Sequence, residues 1–254
     1  NILVMRFSAF GDVAMLVPVV FSTAKAYPDD IFYVLTNKSF IPLFDVGVPN
    51  IRGVGIDLKE YRGLGGLFRL RHTLKAYSID IVADMHDVLR TKYLRKYFLF
   101  RGKKVRHIDK GRAEKKAIVA HKIPLHPLKH TIERYRDVFS ALGYPSEMQF
   151  TSFFADRQES VSLPEALRFD ASRKNIGIAP FAKHREKTYP PQQMEKVVAL
   201  LSQHPHLTVY LFGGKAEADT LNAWEKKYPN VVSVFGKTTL QTELALISKL
   251  NVMA

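Results

Sequence analysis

The stretch "ILVMRFSAFGDVAMLVPVV" (residues 2–20) sets the reading of the whole chain. Its first four residues are apolar and lead directly into Arg6. A short loop follows, then Gly11-Asp12 and a long apolar segment from Val13. A short apolar run bounded by a small loop and followed by a longer helical pattern reads as a β-strand, a turn and an α-helix. Such a unit places charged residues at the C-terminal end of a strand, where open α/β sheets bind their ligands.

The same alternation recurs along the chain. Strands are expected near "IFYVLT" (31–36), "IRGVGID" (51–57), "IDIVADM" (79–85) and "KVRHID" (104–109). Helices are expected near "DVAMLVPVVFSTAKAY" (12–27), "GLFRLRHTLKAY" (66–77), "VLRTKYLRKYFLF" (88–100) and "HTIERYRDVFSALG" (130–143). Pro18 lies inside the first helical pattern and is expected to kink it. Beyond a polar stretch (155–175), strands "NIGIAPFA", "LTVYLFGG" and "VVSVFG" alternate with helices "PPQQMEKVVALLSQ", "AEADTLNAWEKKY" and "LQTELALISKL". Pro190 and Pro191 suit a first helical turn, and Thr238 with Gln241 resembles a capping box. The pattern predicts an α/β protein with parallel sheets in two Rossmann-like domains, residues 1–155 and 175–254, joined by a linker at 156–174. The sequence stops at "NVMA", the start of another strand, so a longer natural protein with a completed second domain is expected.

Composition narrows the class. The 254 residues are 46% hydrophobic and contain no cysteine, which removes disulfides and thiolate metal sites and fits a reducing compartment. No apolar run has the length of a membrane span, and Asp12 interrupts the only signal-like segment, so a cytoplasmic protein is expected. The net charge is +14, and the excess is concentrated: sixteen Lys/Arg between Arg90 and Arg136 face only Asp109, Glu114 and Glu133. An anionic partner is implied, whether nucleic acid, phosphorylated lipid or acidic sugar.

Three post-strand loops carry candidate chemistry. In "RFSAFGDVA", Gly11 is read as permitting a tight turn. Asp12 is either a simple helix cap or a general base toward a sugar hydroxyl. Arg6 is placed to hold an anionic acceptor, and Ser8 is either a second lining residue or a solvated strand end. In "FAKHREKTYPP", Lys183, His184, Arg185 and Lys187 precede a proline-marked helix start, an arrangement suited to a diphosphate or to plain solvation. In "LFGGKAEAD", Gly213 and Gly214 permit close backbone approach, and Glu217 either accepts from ribose hydroxyls or decorates a helix's first turn. The glycines of "RGLGGLFRLR" lack the full dinucleotide fingerprint, although Arg62, Arg69 and Arg71 add to the basic face. Asp84, His86 and Asp87 lack a third suitably spaced metal ligand, so hydrogen bonding within the fold is the expected role. No Asp-x-Asp occurs, which argues against a metal-held sugar diphosphate.

Taken in order, "ILVMRFSAFGDVAMLVPVV", "IDIVADMHDVLRTKYL", "HTIERYRDVFSALG", "IGIAPFAKHREKTYPPQQM" and "VYLFGGKAEAD" resemble the lipopolysaccharide heptosyltransferases of glycosyltransferase family 9. The resemblance spans nearly the whole chain. It implies a GT-B architecture, with acceptor on the N-terminal domain and nucleotide sugar on the C-terminal one across a cleft. It also implies metal-independent inverting transfer from ADP-heptose, with no cofactor. Asp12 matches the family's base, and Arg6, Ser8, Gly11 and Arg62 become the expected acceptor set. Lys187 matches the lysine that neutralises the departing diphosphate, with Lys183, Gly213, Gly214 and Glu217 completing the donor set. Tyr189 stands where the family often has tryptophan. A later Asp-containing donor motif ending in histidine lies beyond the last residue. The expected acceptor is anionic inner-core lipopolysaccharide at the inner face of the bacterial inner membrane, approached by peripheral binding. Transfer from another nucleotide sugar and non-catalytic nucleic-acid binding are the competing readings.

Overall fold

A computed structural model describes residues 1–155, 161–182 and 185–254. The chain forms two compact units, Asn1–Gln158 and Glu159–Ala254, each built on its own parallel sheet.

In the first unit the elements run β1 (Ile2–Met5), α1 (Phe10–Ala26), β2 (Phe32–Asn37), β3 (Ile51–Ile56), α2 (Gly63–Leu74), β4 (Ile81–Asp84), α3 (Leu89–Phe100), β5 (Lys104–His107), α4 (Arg112–Val119) and α5 (Thr131–Leu142). The strand order is β3-β2-β1-β4-β5, with Ile2 opposite both Phe32 and Ile81. Every residue of β1 is buried, as a central parallel strand covered on both faces requires. Leu3 and Met5 pack with Leu70 and Leu74 of α2 and with Leu94 and Phe98 of α3. Alternation along the strand turns Ile2 and Val4 to the opposite face, and α1 packs against α5. Helix α1 continues through Pro18 as one element, and Ser22 Oγ donates to the Pro18 carbonyl. After β1 the chain builds outward through β2 and β3, then returns to place β4 on the other side of β1. The C-terminal ends of β1 and β4 therefore form a topological switch point.

The second unit runs β6 (Lys174–Ile178), α6 (Pro191–Ser202), β7 (Leu207–Leu211), α7 (Ala218–Lys227), β8 (Val231–Ser233), α8 (Leu240–Ile247) and β9 (Val252–Met253), with strand order β8-β7-β6-β9. Here the switch point lies beyond β6 and β9. Both sheets are wholly parallel and carry helices, an α/β fold similar to that of GT-B glycosyltransferases.

Several expectations need revision. Part of the stretch read as a linker packs on the second unit: Leu167 is fully buried beside Tyr210, Phe212 and Val232, with Leu163 and Phe169 partly buried against the same cluster. Its polar composition hid three apolar residues spaced to reach that core. The capping box of α8 lies one residue later than read. Thr239 is the N-cap and accepts from Thr242 N–H, while Thr242 Oγ1 accepts from Thr239 N–H. Helix α4 was not among the expected elements: it is only eight residues long, four of them are charged, and none is buried. Among the described residues, no helix is long and apolar enough to cross a membrane.

Candidate active site

The switch point of the first sheet gathers Arg6, Asp12 and His86 from three separate segments. Arg6 follows β1 and is almost wholly buried. Its Nη1 donates to the Met85 carbonyl just beyond β4 at 2.6 Å, and its Nη2 lies 2.5 Å from Asp12 Oδ2. The guanidinium also sits over the Tyr135 ring, 5.9 Å from its centroid. Arg6 thus fixes the carboxylate from an almost wholly buried position at the edge of the pocket.

Asp12 is not the helix cap. Helix α1 begins at Phe10 with Ala9 as N-cap, so Asp12 is the third helical residue, and its Oδ2 accepts from Ala9 N–H at 3.2 Å. Gly11 accordingly lies inside the helix and makes no tight turn, and a Cβ there would meet nothing within 4 Å. The Tyr135 hydroxyl donates to the Asp12 carbonyl at 3.1 Å, tying α5 to this first turn. Two donors therefore hold one carboxylate oxygen. Oδ1 has no hydrogen-bond partner among the described residues, on a side chain that is 37% exposed.

A pocket of about 320 Å³ opens beside this carboxylate, lined by Arg6, Asp12, Lys110, Lys115, Lys129, Thr131 and Arg134 together with Ile108 and Leu128. Arg134 is engaged by the Lys129 and Asp109 carbonyls and approaches Glu114. Lys110 and Lys115 form no ion pair among the described residues. Burial and the nearby Arg6 and Arg112 charges hold Lys110 below its ordinary pKa. These lysines were not singled out in the sequence. Their signal was the basic excess between Arg90 and Arg136, which marks a region but not the residues that converge on Asp12.

His86 lies at the same switch point, just after β4, and is buried. Burial, reinforced by the Arg6 and Lys110 charges, pushes it down to about 4. At neutral pH it is therefore uncharged. Its Nδ1 accepts from Phe7 N–H at 3.4 Å, which leaves the proton on Nε2, facing Ser8 Oγ at 3.5 Å. Ser8 is exposed and reaches the site only through this contact. A folded-state value below the ordinary 6.5 means that the unfolded chain binds the proton more readily between those limits. Stability contributed by neutral His86 is thus complete above about pH 6.5 and lost as pH falls toward 4. Denaturant titrations of wild type and His86→Gln at pH 7 and pH 4.5 are expected to show an additional loss of about 2 kcal/mol in the wild type alone on acidification.

Arg62 is the exposed N-cap of α2 and does not line the pocket. In the second unit, Lys187 ends a 3-10 turn, Arg185–Lys187, in the loop after β6 and is itself exposed. Lys183 and His184 lie outside the described residues. Tyr189 is exposed. Glu217 Oε2 accepts from Gly214 N–H at 2.8 Å, the first-turn role weighed against ribose binding. A Cβ on Gly213 would meet the Leu221 Cδ1 methyl at 2.7 Å, so a larger residue there would push that side chain aside.

Comparison with known proteins follows the same pattern. No curated protein matches the chain in sequence. Among solved structures, a glycosyl transferase family 9 protein from Veillonella parvula is 20% identical, with a TM-score of 0.70 over 99% of this chain and 74% of that one. E. coli heptosyltransferase WaaC with ADP-2-deoxy-2-fluoro heptose is 16% identical, with a TM-score of 0.70 over 99% and 81%. E. coli ADP-heptose lps heptosyltransferase II is 19% identical, with a TM-score of 0.65 over 100% and 78%. At these identities the likeness establishes the fold. The family model for glycosyltransferase family 9 (heptosyltransferase) matches residues 67–254. The chain belongs to glycosyltransferase family 9, the heptosyltransferases, and is a glycosyltransferase.

Proposed function

We propose that this glycosyltransferase moves a heptose from ADP-heptose to the anionic inner core of lipopolysaccharide by a metal-independent, inverting displacement in which Asp12 is the general base. The observation that carries the reading is the divided carboxylate. Arg6 and the Ala9 amide fix Oδ2, and Oδ1 is left without a partner beside a pocket of cationic side chains. An acceptor hydroxyl at Oδ1 gives up its proton as its oxygen attacks the anomeric carbon. The bond from that carbon to the diphosphate oxygen breaks, and its electron pair leaves with ADP. One displacement inverts the centre. Lys110 and Lys115 are assigned to the acceptor's negative groups, the role first given to Arg6 and Arg62.

Donor binding is assigned to the second unit, with Lys187 and Lys183 neutralising charge that grows on the leaving diphosphate. Gly213, Gly214 and Glu217 remain donor candidates through the loop after β7. The wild-type protein is expected to show a larger thermal shift with ADP than with UDP or GDP. A preference for UDP, or no response to any of them, overturns the ADP-heptose assignment.

The basic first unit supports peripheral binding to the cytoplasmic face of the inner membrane. Co-sedimentation with anionic vesicles is expected to weaken steeply as ionic strength rises from about 0.05 to 0.5 M, as the screening length shrinks. Binding indifferent to salt refutes this electrostatic account.

A further inference from the structure

Beside the pocket, the chain from Gly111 to His130 carries α4 and a following turn, and its apolar residues have no part in the proposed transfer. Helix α4 buries none of its residues, and Val119 at its end is 79% exposed. Leu125, across the following turn, is 88% exposed. With Ile118, Ile123 and Pro124, and with His121 and Lys122 among them, they line a shallow hollow of about 560 Å³. The same segment carries the exposed cations Arg112, Lys115, Lys116, Lys122 and Lys129, of which Arg112 pairs with Asp87 and Lys129 with Asp137. Glu114 is the one acidic residue in this segment, and it is engaged by His126 at 2.9 Å and by Arg134 at 3.6 Å. The His126 contact also ties the turn back to α4.

We infer that Val119 and Leu125 form an apolar tip that enters the interfacial region of an anionic bilayer, with the segment's lysines and Arg112 against the lipid phosphates. Exposed apolar side chains accompanied by cations are the pattern of interfacial membrane binding. A second copy of this chain would bring like charges together around the tip. A nucleic acid would satisfy the cations and leave the apolar residues in water. Spacing adds a further argument. Lys115 and Val119 are four residues apart on α4 and share a face, so a pocket-lining lysine and the membrane tip are neighbours one helical turn apart. An acceptor whose sugars enter the pocket would keep its acyl chains in the bilayer beside them. The inference rests on the acceptor reading given above and names the surface that serves it.

The test compares wild type, Val119→Asp/Leu125→Asp and Phe100→Asp. Phe100 is an equally exposed apolar residue, 89% accessible, at the end of α3. Each protein is assayed for co-sedimentation with phosphatidylglycerol/phosphatidylethanolamine vesicles and for transfer to a deacylated, water-soluble inner-core acceptor. The double variant is expected to bind vesicles at least about tenfold more weakly, with Phe100→Asp unchanged and soluble transfer intact in all three. Unaltered vesicle binding by the double variant, an equal loss in Phe100→Asp, or competition by single-stranded or duplex oligonucleotide that ignores the tip each overturns the inference. Tip-dependent vesicle binding without soluble transfer by the wild type sustains the surface and refutes the proposed reaction instead.

Discussion

Asp12→Asn is expected to lower the rate of sugar transfer by about 10²–10⁴-fold, the usual contribution of a positioned general base. Asparagine is nearly isosteric, and its side-chain oxygen can still accept from Ala9 N–H. What it cannot do is take a proton from an acceptor hydroxyl at the unoccupied position. The substitution also removes the counter-charge of a guanidinium that is only 7% exposed, so stability is expected to fall by about 1–3 kcal/mol. Arg6 keeps its bond to the Met85 carbonyl, so the fold persists. Arg6→Met separates the two effects. It loses the clamp on Oδ2 and keeps the carboxylate, so its transfer rate is expected to fall less than that of Asp12→Asn. Initial rates with the deacylated acceptor and unfolding by far-ultraviolet circular dichroism supply both quantities. Transfer within a few-fold of wild type in folded Asp12→Asn refutes the base and leaves Asp12 as a helix-terminus residue alone.

The alternation of strands and helices was legible because parallel strands covered on both faces read as unbroken apolar runs, as in Ile2–Met5 and Leu207–Leu211. The position of Asp12 near a strand's end was legible for the same reason. The partners of Asp12 were not. Strand order, which brings β4 beside β1, is a long-range fact, and only that order puts the Met85 carbonyl in reach of Arg6. An arginine after a strand looks solvent-facing in sequence, yet this one is buried against a carbonyl and a carboxylate that engage its two terminal nitrogens, while Nε has no partner among the described residues. Lys110, Lys115 and Lys129 come from a loop, a helix and a second loop, so no local spacing announces their convergence. Helix α4 was not read because it is two turns long with four charged residues in eight, too short a window for its apolar side to stand out. The family match begins at residue 67 and so does not include Asp12, whose role therefore rests on geometry and on the resemblance of residues 2–20.

The second large effect is expected at Asp84, a residue that touches no substrate in this scheme. It is wholly buried at the end of β4. Its Oδ1 accepts from the amides of His86 and Asp87, each at 2.9 Å, and its Oδ2 lies 3.4 Å from Arg95 Nη1, an ion pair outside hydrogen-bond geometry. Arg95 also reaches Asp87 at 3.3 Å, and Asp87 holds a φ of +46° that few side chains adopt willingly. One carboxylate thus organises the turn that presents the Met85 carbonyl to Arg6 and the His86 ring to Ser8. Asp84→Ala leaves two buried amides without an acceptor and Arg95 without its deepest partner. The expected cost is about 3–5 kcal/mol, the range for breaking a buried pair from one side. For a protein of this size that corresponds to a fall in Tm on the order of 10 °C. Asp84→Asn keeps an oxygen for the amides and is expected to cost roughly half as much, the difference reporting the charge on Arg95. Urea titrations of the three proteins at pH 7 measure both steps. A loss below about 1 kcal/mol in Asp84→Ala would mean that the turn is held by the Arg95 and Arg112 contacts to Asp87 instead, and that Arg6 and Asp12 keep their alignment without it.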